Sequence, residues 1–346
     1  MSEISPQVRG RVDRLSVASS RMGAFVAGVA IAGIVVAGLP APADTYRVNV
    51  LTYNVCAAGN RAGTCVRDLT PRRRRTWAGQ VSALIRSRDV DVASFTEMCY
   101  AQVGLLRREL PGYHLVWYGY AGGGGPGRED RCRTLWRDLT PHTAPPDGRT
   151  FGVALALKNG TQGPPLRRLL RADHAPATPG ETVHPRGLLC ARGDVGPRRS
   201  VCCVTHISGT ETPRQVTGLV AGYAGGAPVI LTGDFNREPG DPQLTGVYGM
   251  GLGDGGYTEA DTPACGSVRR GGDPTTRGGR KIDYIFASEA DYRPGGAEVV
   301  RTDPELSDHL ALAGTLIGTE PRPRRDGGPW RGSCPASARR RRGRRR

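Results

Sequence analysis

Aromatic side chains are scarce, at 6% of the 346 residues. Proteins that read single strands by stacking bases display rows of such rings, so sequence selectivity of that kind is not expected. No two cysteines form a C-x-x-C pair, which removes the usual frame of a structural zinc site. No internal repeat is visible. Long apolar runs are also few. Met22–Leu39 is a stretch without charge or strongly polar side chains, and Gly23, Gly28, Gly33 and Gly38 dilute it.

That stretch follows a polar segment with four Arg and precedes Ala41-Pro42-Ala43, a small-residue pattern of the A-x-A type. The layout is that of a secretory signal peptide cleaved after Ala43. A single membrane anchor is the alternative, since the run is near the lower limit for spanning. Either places residues 44–321 outside the cytoplasm. All nine cysteines lie after residue 43, as suits an oxidising compartment. Cys56 could close a short loop with Cys65, and Cys99 could reach Cys132. Cys190 suits Cys202 or Cys203 but not both, because adjacent strand residues face opposite sides. The odd count leaves one thiol free or paired between chains.

The net charge of +16 is uneven. Residues 322–346 carry eleven Arg and one acid, hence +10, and residues 1–43 carry +2, leaving +4 on residues 44–321. The tail has almost nothing apolar beyond Trp330, cannot bury a core and is expected to be disordered.

Within 44–321 the pattern mixes strands with a few helices. Tyr46–Val55, Val90–Thr96, Tyr113–Tyr118, Phe151–Leu157, Gly187–Arg192, Ser200–Ile207, Val229–Thr232, Lys281–Ala287 and Leu310–Ile317 read as strands. Pro71–Arg88 reads as a helix capped by Thr70, with Trp77, Val81, Leu84 and Ile85 inward and Arg72–Arg75 in its first turn. Tyr100–Leu110 and Thr210–Tyr223 read as two more helices. Residues 121–149 form an insertion rich in Gly, Pro and charge, 159–185 are mostly loop, and 239–279 are irregular apart from a short element near Asp254–Ala260.

Polar residues recur where the apolar runs end. Asn54 closes Leu51-Thr52-Tyr53-Asn54, Glu97 follows Ser94-Phe95-Thr96, and His206 follows Cys203-Val204-Thr205. Val229-Ile230-Leu231-Thr232 runs into Gly233-Asp234-Phe235-Asn236, where Asp234 and Asn236 share a side of the strand. Ile282-Asp283-Tyr284-Ile285 and Ser307-Asp308-His309 complete the series. An acid and an amide at a sheet's mouth can hold a water and a phosphate oxygen, and an Asx-rich turn would also give such a pattern.

The order N, E, H, GDxN, D, SDH over residues 46–317 resembles the endonuclease/exonuclease/phosphatase superfamily, the group of the pancreatic-type deoxyribonucleases. The resemblance implies an α+β fold, a four-layer α/β/β/α sandwich of two mixed β-sheets flanked by helices. It implies a Mg²⁺-dependent phosphodiesterase, with Mn²⁺ or Ca²⁺ as other hard cations. In it, Glu97 binds the metal with Asn54 beside it and Asp308 contributing. Asp234 orients or deprotonates the attacking water, and Asn236 holds a phosphate oxygen. Asp283 and His309 form a carboxylate–imidazole pair, and His206 donates to a phosphate oxygen or the leaving group. The family's frequent Gln-Glu is Thr96-Glu97 here, and Glu181 lies near where an acid often supports the histidine matching His206.

Such enzymes act on DNA, RNA, abasic DNA, phosphoinositides or sphingomyelin. The inositol-phosphatase signature after GDxN is missing, since Arg237-Glu238-Pro239 follows, and membrane-inserting apolar loops are not evident. Secretion, the basic tail and several arginines near the motifs favour a polyanion. Arg237 and Arg280 are the expected phosphate contacts, with Arg269, Arg270 and Arg277 nearby. The expectation is a secreted, monomeric nuclease of low sequence selectivity, with an anionic lipid or other phosphate ester as the alternative substrate and non-catalytic binding of anionic surfaces as the alternative class.

Overall fold

The computed structural model describes residues 45–57, 71–120, 132, 149–173, 185–249, 251–262, 269–303 and 306–319, with side chains of the first helix from residue 76. The expected leader 1–43, the expected cap Thr70, the Arg72–Arg75 side chains, nearly all of the expected 121–149 insertion, Glu181 and the Arg-rich tail lie outside the described residues.

Among the described residues, twelve strands and three full α-helices follow in the order β1 (Thr45–Asn54), α1 (Pro71–Ser87), β2 (Val92–Cys99), α2 (Tyr100–Glu109), β3 (His114–Gly119), β4 (Phe151–Leu157), β5 (Gln162–Leu169), β6 (Gly187–Val195), β7 (Arg198–His206), α3 (Pro213–Ala224), β8 (Val229–Asp234), β9 (Tyr257–Glu259), β10 (Asp283–Ser288), β11 (Tyr292–Val300) and β12 (Ala311–Thr319). They build two six-stranded sheets, ordered β11-β12-β1-β2-β4-β3 and β5-β6-β7-β8-β10-β9. In each, the central pair is parallel, β1 with β2 and β7 with β8, and the other neighbours run antiparallel. A helix makes each crossover, α1 in one half and α3 in the other. Two like halves are thus plain in the topology, although the sequence carries no repeat.

The apolar faces account for the layers. Trp77, Val81 and Ile85 of α1 and Val103 and Leu106 of α2 are buried in one cluster with the first sheet and the inner residues Leu189, Ala191, Cys202, Val204 and Ile230 of the second. Val216, Val220 and Ala224 of α3 are buried with Leu188, Cys190, Val201, Cys203 and Leu231 from the second sheet's other face. The result is the α/β/β/α sandwich expected. Helix α3 starts at Pro213 because the Thr212 side chain accepts from the Gln215 N–H at 3.2 Å, and Gly225 in left-handed conformation ends it.

Two strands depart from expectation. β5 falls in a stretch read as loop. It is a mostly exposed edge strand whose pairing with β6 breaks between Gln162 and Leu166, around Pro164 and Pro165. Proline gives no ladder donor and is tolerated at such an edge. β11 was not expected at all. It is the edge of the first sheet, interrupted between Pro294 and Ala297 by Gly295 and Gly296, which hide its alternation.

Disulfides join Cys99 to Cys132 and Cys190 to Cys203. Cys202 is the free, buried thiol of the pair in question, and burial pushes it up to about 12. Cys56 is also disulfide-bonded, and Cys65 lies outside the described residues. Among the described residues no helix is long and apolar enough to cross a membrane.

Candidate active site

Strand direction gathers the polar residues. Parallel β7 and β8 end side by side, so His206 and Asp234 are register partners. Antiparallel β10 begins where β8 ends, which pairs Asp283 with Asp234. Antiparallel β6 begins where β7 ends, which pairs Gly187 with His206. One row across the second sheet therefore reads Asp283, Asp234, His206, Gly187. From the facing sheet, Asn54 at the end of β1 donates through Nδ2 to Asp234 Oδ2 at 3.0 Å.

Two of these side chains need unusual backbone. Thr96 and Glu97 together oppose the single Val153, because the β2–β4 register shifts between Phe95 and Met98. Glu97 has φ +52° in this bulge, a conformation that re-aims a side chain at some cost in strain. Asn236 has φ +50°, and its N–H donates to Asp234 Oδ1 at 2.8 Å. Before it, Gly233 has φ +132°, and a Cβ there would lie 1.9 Å from the Thr205 carbonyl oxygen. That close approach explains the glycine ahead of Asp234.

His309 Nδ1 donates to Asp283 Oδ2 at 2.8 Å, and its Nε2 is 3.8 Å from Asp234 Oδ2. Burial alone would depress this imidazole, but the charge and hydrogen bond of Asp283, with help from Asp234 and Asp308, outweigh it and raise it to about 10. Asp234 is pushed the same way. Burial, then the neighbouring Asp283, hold its carboxyl well above the usual range against His309 and Asn54. Ser307 Oγ ties this corner together: it donates to the Asn54 carbonyl at 2.7 Å and accepts the His309 N–H at 3.0 Å. Thr275 Oγ1 accepts the N–H groups of Ile282 and Asp283, and the buried Lys281, paired with Glu259 and Asp261, donates to the Asp283 carbonyl at 3.1 Å.

His206 Nε2 lies 3.6 Å from Asp234 Oδ2, 3.8 Å from Glu97 Oε1 and 3.3 Å from Asn236 Nδ2. Its Nδ1 lies 3.2 Å from an Arg186 guanidinium nitrogen and 3.5 Å from the Tyr120 hydroxyl. Gly187 leaves the space the Tyr120 ring fills, since a Cβ there would come within 2.4 Å of it. Neither Arg186 nor Tyr120 was singled out from the sequence. Arg186 had a signal: it stands immediately before the apolar run of β6, and in an antiparallel pair the start of one strand abuts the end of its neighbour.

Asn54, Glu97, His206, Asp234, Asn236, Asp283 and His309 thus meet through the distances above. Asp308 is half-buried beside His309, and its charge reaches that ring. The arginines behave differently. Arg237 is buried, pairs with Asp241 at 3.0 Å and donates to the carbonyls of Gly209 and Glu211. It braces a loop. Arg270 and Arg277 are likewise bound to backbone carbonyls. Arg280 has a half-exposed side chain and pairs with Glu238 at 3.0 Å.

One ligand atom each from Asp234, Asp283 and His309 falls within 4.8 Å of the others, a group able to hold a metal ion. The buried Asp283 Oδ1 has no hydrogen-bond partner among the described residues. Carboxylates gathered this closely in a buried pocket repel one another, so the pocket's oxygen donors fit a hard divalent ion.

No curated protein sequence matches the chain. Among solved structures, an endonuclease/exonuclease/phosphatase from Bacteroides vulgatus is similar with a TM-score of 0.53 at 17% identity, over 78% of this chain and 98% of that one. The human Nocturnin catalytic domain with bound sulfate anion gives 0.52 at 16% identity, over 79% and 96%. ANGEL2, a 2',3'-cyclic phosphatase, gives 0.51 at 14% identity, over 79% and 95%. These likenesses establish the fold. The model of the Endonuclease/Exonuclease/phosphatase family matches residues 51–309, a span that holds every site residue from Asn54 to His309, and the chain belongs to that family.

Proposed function

We propose that this chain is a secreted, Mg²⁺-dependent phosphodiesterase that hydrolyses nucleic-acid phosphodiester bonds with little sequence selectivity. The observation that carries the reading is the convergence on one oxygen, Asp234 Oδ2, of the Asn54 amide and the Nε2 atoms of His206 and His309, with Asp283 behind His309. Phosphodiester cleavage needs a base for water and fixed positive charge and donors for the phosphoryl oxygens. Asp234, its proton affinity raised by burial and by Asp283, suits the base. His309, held charged by Asp283, suits the fixed charge. The amide hydrogens of Asn236 and the Nε2 side of His206 suit the donors.

Glu97, set out on its bulge, is the carboxylate we assign to the metal, with Asn54 Oδ1 and Asp308 as the further oxygens. Asn54 Oδ1 already accepts the Cys56 N–H at 3.0 Å and keeps its second lone pair. The Asp234–Asp283–His309 group is close enough for an ion, but the His309–Asp283 hydrogen bond is itself the cation's equivalent there. When bound, Mg²⁺ neutralises phosphate charge and stabilises the leaving oxygen.

The Arg-rich tail and the reading of residues 1–43 as a leader support an extracellular polyanion as substrate. The sulfate on Nocturnin and the cyclic-phosphate activity named for ANGEL2 support a tetrahedral-anion site. The test is hydrolysis by the full chain of plasmid DNA, RNA, sphingomyelin and a soluble phosphoinositide, with Mg²⁺ and with chelator. Chelator-sensitive cleavage of DNA or RNA, lost in His309→Ala, is expected. Turnover of lipid alone would reassign the substrate, and silence on all four would overturn the enzyme.

A further inference from the structure

The Arg186 guanidinium is a buried cation beside the site, in a residue 8% exposed. Its hydrogen-bond acceptor among the described residues is His206 Nδ1 at 3.2 Å, and its Nε is buried with no partner. It meets no carboxylate among the described residues. A guanidinium can only donate, so Nδ1 must present its lone pair, and the ring proton of a neutral imidazole then sits on Nε2. Asn236 Nδ2, 3.3 Å from Nε2, gives one of its two amide hydrogens to the Ile207 carbonyl at 2.8 Å, and on that side of the ring the carboxylates of Asp234 and Glu97, at 3.6 and 3.8 Å, are acceptors for an Nε2 proton. Arg186 has no other side-chain acceptor among the described residues, and its charge makes its bond stronger than the Asn236 contact.

We propose that Arg186 is a positioning residue: by donating to Nδ1 it fixes His206 as the Nε2–H tautomer, a polarised hydrogen-bond donor to a phosphoryl oxygen and not the proton donor to the leaving group. This rests on the phosphodiesterase reading for its consequence, though not for its geometry. A neutral imidazole that gave up its only proton would become an imidazolate, so the leaving oxygen takes its proton from solvent water, while the attacking water's proton goes to Asp234. The two histidines then divide the work. His309, with a carboxylate at Nδ1, brings charge; His206, with a guanidinium at Nδ1, brings a directed donor.

The deciding measurement is nitrogen NMR of the full chain labelled at histidine, with His206→Ala identifying the resonance. The expected wild-type pattern is a proton on Nε2 and a lone-pair shift on Nδ1. Arg186→Met should scramble that preference and lower kcat roughly 10- to 100-fold with KM within about twofold, the usual effect of removing a group that orients a site histidine. Arg186→Lys should restore part of the loss, and His206→Gln, which keeps a donor, should exceed His206→Ala. A proton on Nδ1 in the wild type overturns the assignment, and so does an Arg186→Met enzyme with unchanged tautomer and kcat. A rise in KM alone would make Arg186 a substrate contact instead. Should Arg186→Met fail to fold, the wild-type spectrum decides. Failure of all phosphodiester hydrolysis would sink the functional reading and leave the tautomer result standing.

Discussion

The Nε2 atoms of His206 and His309 face the same oxygen, Asp234 Oδ2, from 3.6 and 3.8 Å, yet their Nδ1 atoms are held by groups of opposite sign. Asp283 holds one and Arg186 the other. Sheet topology makes this possible. Asp283 and Arg186 stand at the beginnings of antiparallel strands that flank the ends of β7 and β8, one on each side of the row.

The His309–Asp283 pair sets a pH dependence. His309 is raised from 6.5 to about 10 in the folded chain. A base raised on folding contributes stability that is complete below its unfolded value and is lost as pH rises through its folded value. Unfolding free energy from urea titrations should therefore decline between about pH 7 and about pH 10, and Asp283→Asn should flatten that slope. The same variant should lower kcat by roughly 10²- to 10⁴-fold and bring its alkaline limb toward neutrality. An unchanged alkaline limb in Asp283→Asn would contradict the pairing.

Asp234 predicts how metal affects stability. Its carboxyl is raised by burial and by Asp283, so, unlike a salt-bridged acid, it costs stability as pH rises through its folded value. A divalent cation that neutralises the site removes that cost and binds only deprotonated oxygens. Mg²⁺ should raise the melting temperature more at about pH 8 than at about pH 5. At 100-fold excess over Kd the gain is about 2.7 kcal/mol. Glu97→Gln should abolish most of it. Equal stabilisation at both pH values, or in both proteins, would count against the metal assignment.

Much of this site was legible as polar residues closing apolar runs, because side chains at a strand's end stand at the rim of the sheet. Asn54, His206 and Asp234 were readable in this way. Glu97 was readable as a residue but not as a bulge, since nothing in Ser94-Phe95-Thr96-Glu97 announces a positive φ. Arg186 and Tyr120 escaped because pairing partners, not local pattern, bring them to His206. Adjacency to GDxN does not reveal that Asp241 and two carbonyls hold the Arg237 guanidinium. The edge strands β5 and β11 escaped because Pro and Gly break their alternation, which an edge tolerates and a central strand does not.

Gly233 should be intolerant of any side chain. Its φ of +132° is unfavourable for L residues, and a Cβ would sit 1.9 Å from the Thr205 carbonyl oxygen, backbone on the neighbouring strand. Strain and overpacking each cost on the order of 1–3 kcal/mol. Gly233→Ala should thus lose roughly 3 kcal/mol or more by denaturant titration. It should also lose activity out of proportion to its residual fold, since Thr205 and Gly233 precede His206 and Asp234 on paired strands. Near-normal stability would mean that β7 and β8 can part without penalty.

The disulfide between Cys190 and Cys203 offers a test that separates fold from chemistry. The two residues are register partners on β6 and β7, and Cys203 lies three positions before His206. Their side chains are buried under α3 with Val216 and Val220, on the face of the sheet opposite the inter-sheet core that holds Cys202. A bridge spanning a sequence separation of 13 stabilises by about 3 kcal/mol in the chain-entropy account. Cys190→Ala/Cys203→Ala should lose roughly that amount in urea while keeping kcat close to wild type, because the β6–β7 ladder still sets the His206 register. Cys202→Ala should leave the bridge intact and cost only its buried volume. A double variant that stays stable but loses kcat would show that the bridge, and not the ladder, holds His206 in place.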